Sequence, residues 1–229
     1  MNAGRTARDR ARAELTQEIK DVARRQLATE GAERLSLRAV SRELGMVSSA
    51  LYRYFPSRDD LLTALIIDAY NAVGAEAEAI AKKVTEPRAA WLAVCQTVRA
   101  WARKHPQEYA LIYGSPVVGY QAPQSTIQPA GRVAIVLFGI LARAHASGVL
   151  VPPSDAPEPN PRLAEQLQTL AEVAPGVPLK VLARTTIAWT QLFGMISFEL
   201  FGQLVGTMDP ADEFFADATG QLAAFLGLN

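Results

Sequence analysis

Cysteine is almost absent from this 229-residue chain. Cys95 stands alone, which excludes an internal disulfide and any multi-cysteine zinc site. Histidine is scarce as well. His105 and His145 are far apart and have no cysteine near them, so neither a metal nor any other cofactor is expected. No glycine-rich phosphate loop, nucleophile–base pair or metal-ligand spacing occurs, so no enzymatic chemistry is expected. Long apolar runs are missing too. The longest, 133–142, lies between Arg132 and Arg143 and falls well short of the ~20 residues of a membrane-spanning helix. The mildly apolar stretch 181–205 is broken by Arg184, Gln191, Glu199 and Gln203. No membrane partner is therefore expected. The N-terminal arginines have no apolar stretch behind them, so no secretory leader is expected and the cytoplasm is the default location.

Net charge is lacking as well, 23 Lys+Arg against 23 Asp+Glu, but the balance hides an asymmetry. Residues 1–58 hold 12 Lys+Arg and 7 Asp+Glu, a net of +5, and the remainder holds 11 and 16, a net of −5. A basic end on an otherwise acidic chain fits a nucleic-acid-facing head, and equally a solvated basic helix.

Sustained period-two alternation is absent, so the spacing predicts an all-α chain. A first helix over about 8–30 carries Leu15, Ile19, Val22, Ala23 and Leu27 on one face and ends at Gly31. Ser36 is placed to cap a helix over 37–44. Gly45 turns the chain into a third helix over about 47–55, which Pro56 stops. Ser57 and Asp60 form a capping-box pattern opening a long helix to about residue 82. Further helices are expected over 87–104, 106–113, 124–147, 163–173, 178–206 and from Pro210 onward. Five prolines within 151–161 require an extended loop, and Asn160-Pro161 is a cap followed by proline at the first helical position.

Two short helices joined through a turn at Gly45 make a helix-turn-helix, whose second helix can lie in a major groove. Leu51 and Phe55, at i and i+4, would face inward and leave Ser48, Ser49, Tyr52 and Arg53 on other faces. Serine and arginine can hydrogen-bond base edges, and tyrosine hydroxyls can hold phosphates. Small Ser49 and Ala50 offer few strong base contacts. Arg53 is then the candidate for bidentate guanine recognition, or else it holds a phosphate or stands in solvent. Tyr52 either meets DNA or packs on the first helix. Arg5, Arg8, Arg10 and Arg12 either enter a minor groove as a basic arm or belong to a solvated terminus.

The stretch carrying Gly31, Gly45, Leu51-Tyr52-Arg53-Tyr54-Phe55, Ser57-Arg58 and Leu61 resembles the DNA-binding head of the TetR family of bacterial regulators, over about residues 12–62. The resemblance implies an all-helical homodimer that binds a palindromic double-stranded DNA operator, usually as a repressor released by a small-molecule effector. It implies phosphate contacts for Tyr54, Arg58 and Ser36 and base reading by the exposed face of the third helix. Arg38, two residues after Ser36, is counted with them. Val47 departs from the family, which usually has Ser or Thr there. Ser48 could take over the cap and shift the helix start by one residue.

The division expected is a head over 1–58 and a larger ligand-binding and dimerisation domain over 59–229. Within the latter, Trp101, His105 and Gly114 resemble the Trp-His-Gly class of TetR C-terminal domains, which names no ligand. Trp101, Tyr109, Tyr113, Phe138, Trp189 and Phe193 are candidates to line an effector cavity, or they form ordinary core. Ile187, Met195 and Phe198, with Phe214, Leu222 and Phe225, exceed what one inner stripe needs and are candidates for a two-fold interface, unless they bury within the monomer. The rival to a DNA-binding repressor is a helical small-molecule-binding or interaction protein whose helix-turn-helix has lost DNA affinity.

Overall fold

A computed structural model describes residues 3–152, 154 and 156–228, with side chains from residue 6. The side chain of Arg5, and Pro153 and Asp155 of the proline-rich loop, lie outside the described residues. The architecture is all-α. In chain order the helices are α1 (Ala3–Glu30), α2 (Leu37–Glu43), α3 (Ser48–Leu51), α4 (Arg58–Lys83) and α5 (Pro87–Lys104), then α6 (Pro106–Tyr113), α7 (Ile127–Ala146), α8 (Pro161–Val173), α9 (Leu179–Leu200) and α10 (Asp212–Leu226).

Local chemistry fixes most of the boundaries. Glu86 caps α5 by accepting from the amides of Arg88 and Ala89, with Pro87 at the first position where no donor is needed. Asn160 caps α8, its carbonyl accepting from Leu163 N at 3.0 Å. Gly31 leaves α1 with φ 80° and Gly45 turns at φ 64°, both conformations that disfavour a Cβ. Two elements are shorter than their sequence suggests. The third helix is regular only over Ser48–Leu51, although its hydrogen bonds run on to Phe55 N→Leu51 O at 3.1 Å; serines are weak helix formers. The ninth stops at Leu200 instead of about residue 206. Gly202 takes φ 81°, and Gln203 N reaches back to Phe198 O at 2.9 Å, closing the helix in a Schellman cap.

The chain divides into two compact units. One comprises described residues up to 70 together with 107–127; the other comprises 71–106 and 128–228. The core of the first unites Ile19, Val22, Ala23 and Leu27 of α1 with Leu37 and Val40 of α2, Leu51, Phe55, and Leu61, Leu62 and Leu65 of α4. Residues 107–127 join it through Leu111, Ile112, Val117 and Tyr120. Polar ties reinforce the packing. Arg24 pairs with Asp68 at 2.8 Å and with Glu108 at 3.0 Å, Tyr70 OH donates to Ile112 O at 3.1 Å, and Thr63 and Tyr120 hydroxyls lie 2.8 Å apart. Burial raises the Tyr70 and Tyr113 phenols above their ordinary pKa, neighbouring tyrosines adding to the effect.

The second unit is larger. Trp91, Val94, Cys95 and Val98 of α5, Val133, Leu137 and Ile140 of α7, and Leu192 and Ile196 of α9 are fully buried or nearly so. Stretch 124–146 is long and apolar enough to cross a membrane by composition, but Arg132 in its second turn pairs with Glu78 at 2.7 Å and with Asn71. Burial pushes the Cys95 thiol well above its usual pKa, which keeps it protonated and unreactive. Arg99, 4 % exposed, forks onto the Glu199 carboxylate at 2.6 and 2.8 Å and donates to Asp212 at 3.0 Å, joining α5 to the end of α9 and the start of α10.

Candidate nucleic-acid interface

The surface that could meet DNA is built from three local devices. The first is the start of α2. Ser36 sits in extended conformation before the helix, its hydroxyl accepting from Ala39 N at a long 3.5 Å, while its own amide donates to the buried Gln26 side chain at 3.3 Å. The second is the turn into α3. Gly45 N and Met46 N return to Arg42 O and Ser41 O, and the Ser41 hydroxyl donates to Arg38 O at 2.9 Å. Ser41 has a single proton, so in the 3.0 Å contact between Ser41 and Ser48 hydroxyls the donor is Ser48. That bond ties α2 to α3. It also corrects one expectation. Ser48 does not take over the missing cap. Helix α3 starts at Ser48 itself, Val47 occupies the cap position without a side-chain bond, and its side chain stands 70 % exposed.

The third device is the start of α4. Ser57 Oγ accepts from Asp60 N at 3.1 Å, the forward bond of a capping box, but the Asp60 carboxylate accepts from the Ser57 hydroxyl at 2.7 Å. This frames Arg58. Its Nη2 donates to Ala32 O at 2.9 Å and Glu33 O at 3.3 Å, the carbonyls of the turn after α1. Its Nε is buried and has no partner among the described residues. An unpaired buried guanidinium N–H is costly.

The eight residues singled out for DNA contact separate into groups. Ser36, Arg38, Tyr52 and Arg58 come together around one open cleft of about 450 Å³, with Leu35, Leu37, Pro56 and Ser57. Ser49 stands exposed on α3 and Arg53 exposed in the turn just after it, while Leu51 and Phe55 face the core as expected. Ser48 is half-buried against Ser41, its proton spent. Tyr54 is half-buried with the Arg12 guanidinium 5.2 Å above its ring, and Arg12 also donates to Arg53 O at 3.4 Å. Arg12 was not singled out beyond its charge. The apolar stripe Leu15, Ile19 and Val22, continued backward by one turn, is the signal that would have found it.

The candidate effector residues do not form one cluster. Tyr109 and Tyr113 belong to the first unit, with ring centroids 5.1 Å apart and Tyr70 edge-on to Tyr113 at 5.8 Å. Trp101, Phe138, Trp189 and Phe193 belong to the second, Trp189 and Phe193 meeting edge to face at 6.4 Å. Trp101 and Phe138 are buried in the core, and Trp101 stacks on the His105 ring at 5.4 Å. Of the interface candidates, Ile187 and Phe198 are about half exposed. Met195, Phe198 and Phe214 share an open cleft with Thr190, Gln191, Gly194 and Leu204, and exposed Phe201, Val205 and Met208 follow it in the chain. Leu222 is buried inward, and Phe225 lies under the Arg184 guanidinium at 3.9 Å.

Comparison with known proteins agrees with this geometry. The family described as "Bacterial regulatory proteins, tetR family" matches residues 19–65, and that described as "Tetracyclin repressor-like, C-terminal domain" matches residues 91–222. The chain is 39 % identical over 215 residues, 90 % of each chain, to the HTH-type transcriptional regulator Rv1816 of Mycobacterium tuberculosis, and equally to Mb1846 of Mycobacterium bovis. The solved structure of SCO4313 superposes with a TM-score of 0.79 at 33 % identity, over 94 % of this chain and 98 % of that one.

Proposed function

We propose, from the premise that this chain belongs to the TetR family of DNA-binding transcriptional regulators, that it works as a homodimer on a palindromic operator and answers to a small-molecule effector as a repressor. The head over 1–58 does the reading, and residues 59–229 sense and dimerise. A regulatory rather than enzymatic role, acting in the cytoplasm, follows from the same membership.

The observation that carries the DNA half is the cleft at Arg58. Two arginines, Arg58 and Arg38, and the hydroxyl-bearing Ser36, Tyr52 and Ser57 line one open cleft, a basic and donor-rich lining suited to an anion. A backbone phosphate there would meet the charges of Arg58 and Arg38, and Tyr54 would meet a neighbouring phosphate. Ser49 and Arg53 then face base edges. Ser48, with its proton committed to Ser41, can offer a base only an acceptor. Phosphate contacts set the register and Arg53 supplies the discrimination.

The dimer half rests on the stripe Ile187, Gln191, Gly194 and Phe198, spaced as one helical face on α9 and largely open to solvent, with exposed Phe201 just past the helix end. A two-fold copy seated there, with Phe214 and Phe225 of α10 beside it and Leu222 supporting from within, would bury it. The effector half rests on family membership and on the aromatic side chains Trp101, Phe138, Trp189 and Phe193, with Tyr109 and Tyr113 nearer the head. An effector would act only through its different affinity for the DNA-competent and incompetent states. Footprinting on a duplex selected from random sequence tests the reading. Two protected half-sites about 10 base pairs apart, lost together with the dimer in sedimentation, support it; protection of a single half-site by a monomer refutes it.

A further inference from the structure

We propose that the first turns of α1 form a second DNA-contact surface, in which Arg8 and Arg12 hold phosphates of the duplex flanking the half-site read by α3. This rests on DNA binding by the head and extends it beyond the helix-turn-helix.

The helix α1 runs without a break from Ala3, yet residues 6–14 are all exposed, and Leu15 is the first to enter the core. The overhang is about nine residues, roughly 13 Å of helix at 1.5 Å per residue. Its sequence is patterned. Arg8, Arg12, Leu15, Ile19 and Val22 follow the i, i+4, i+7, i+11, i+14 rule of a single face. Within the head that face is apolar and buried; beyond the core it turns basic. At the changeover, Arg12 lies over the Tyr54 ring at 5.2 Å and bonds Arg53 O at 3.4 Å. The stripe therefore leaves the core beside the end of the recognition helix, and Arg8 lies one turn further out, about 6 Å along the same face.

The helix also narrows how these arginines can reach DNA. An extended basic arm could thread a minor groove ~6 Å wide, but a helix ~10–12 Å across cannot, so the reachable groups are phosphates. The other charges of the overhang lie elsewhere on the wheel. Asp9 is about 100° round from Arg8 and about 60° from Arg12, at the edge of the basic face, while Arg10 and Glu14 are each about 160° from Arg12, on the far side. The four arginines that look alike in sequence thus divide, and Arg10 becomes an internal control. A merely solvated basic helix would make Arg8 and Arg10 equivalent.

The test uses the full-length chain and a duplex that the wild type selects from a random-sequence pool, with flanks of about ten base pairs or with flanks trimmed away. Binding is followed by fluorescence anisotropy across a salt series. On the long duplex, Arg8→Gln should lower the slope of log K against log salt by about 0.9 per protomer, so that a fourfold rise in salt costs it about 3.5-fold less affinity than it costs the wild type. Arg10→Gln should match the wild type, and trimming the flanks should remove the difference between wild type and Arg8→Gln. An unmoved slope for Arg8→Gln, an equal drop for Arg10→Gln, or a drop that persists without flanks overturns the proposal while DNA binding stands. Failure of the wild type to select any duplex would instead refute DNA binding itself.

Discussion

Arg58 does two jobs with one guanidinium. Its Nη2 fastens the turn after α1 to the start of α4, and its Nε is buried without a partner among the described residues. Arg58→Gln keeps a donor for Ala32 O but loses the charge, so it should weaken binding to all sequences alike. Arg53→Ala should instead change which base is preferred, by ~1–3 kcal/mol at that position; binding measured over a panel of singly substituted duplexes separates the two outcomes. Gly74 is a second position where one residue decides. A Cβ there would come within 2.7 Å of Arg132 Cβ and 2.9 Å of its Nε, and a Cβ cannot swing aside as a side-chain tip can. Arg132 passes over Gly74 to reach Glu78 and Asn71. Gly74→Ala gains ~1 kcal/mol of helix propensity but overpacks by ~1–3 kcal/mol. The expected result is a lower melting temperature, with the larger loss coming from disruption of the Arg132 contacts.

Ion pairs do at the scale of elements what caps do at helix ends. Arg99 holds α5 against the end of α9 and the first turn of α10 through Glu199 and Asp212. Arg99→Leu leaves the largely buried Glu199 with only the longer 3.8 Å contact to Arg103, while Asp212 keeps Arg103 at 3.2 Å and can rehydrate. Destabilisation near the lower end of the ~3–5 kcal/mol typical of breaking a buried pair is expected in urea denaturation. The hydrogen bond from Arg99 holds the Asp212 carboxyl below the usual carboxylate range, and that from Arg132 does the same for Glu78. Both groups are more acidic folded than unfolded. Their contribution is therefore present above the ordinary carboxylate pKa of ~4 and is lost as pH falls through the lowered values. Both carboxylates are well solvated, so these two groups should make stability fall only modestly below about pH 4, and less so in Arg99→Leu. Buried Tyr70 and Tyr113 act at the other extreme, favouring the folded state below pH ~10 and losing that contribution as pH rises above it.

Much of this layout was legible in the sequence because it is written locally. Ser36, Ser57 with Asp60, Asn160-Pro161 and Gly31 each announce a helix end within four residues of it. The end of α9 was not legible, since Gly194, Gly202 and Gly206 are alike as letters and only the backbone at Gly202 takes the capping conformation first. Nor was the attachment of 107–127 to the head. Arg24 meets Asp68 across 44 residues and Glu108 across 84, and nothing in a single sequence pairs them. For the same reason the six aromatic residues read as one lining set turned out to belong to two compact units.

At the scale of the whole molecule, the proposed palindromic operator calls for two heads, and the open stripe on α9 is where a second copy would sit. Phe198→Asp places a charge within it, on a side chain 55 % exposed, and should shift sedimentation to the monomer while leaving the fold by circular dichroism intact. Leu222→Ala, an inward position, should instead cost ~2–5 kcal/mol of stability with the dimer retained if it folds. The central claim is that the α2–α3–α4 surface grips and reads DNA. Its most direct test is equilibrium binding of wild type and Arg58→Gln to a selected duplex and to a shuffled one of equal length, across a salt series. The wild type should prefer the selected duplex. Arg58→Gln should lose affinity equally on both, with a salt slope shallower by about 0.9 per protomer. Equal affinities and equal slopes for the two proteins on both duplexes would contradict it.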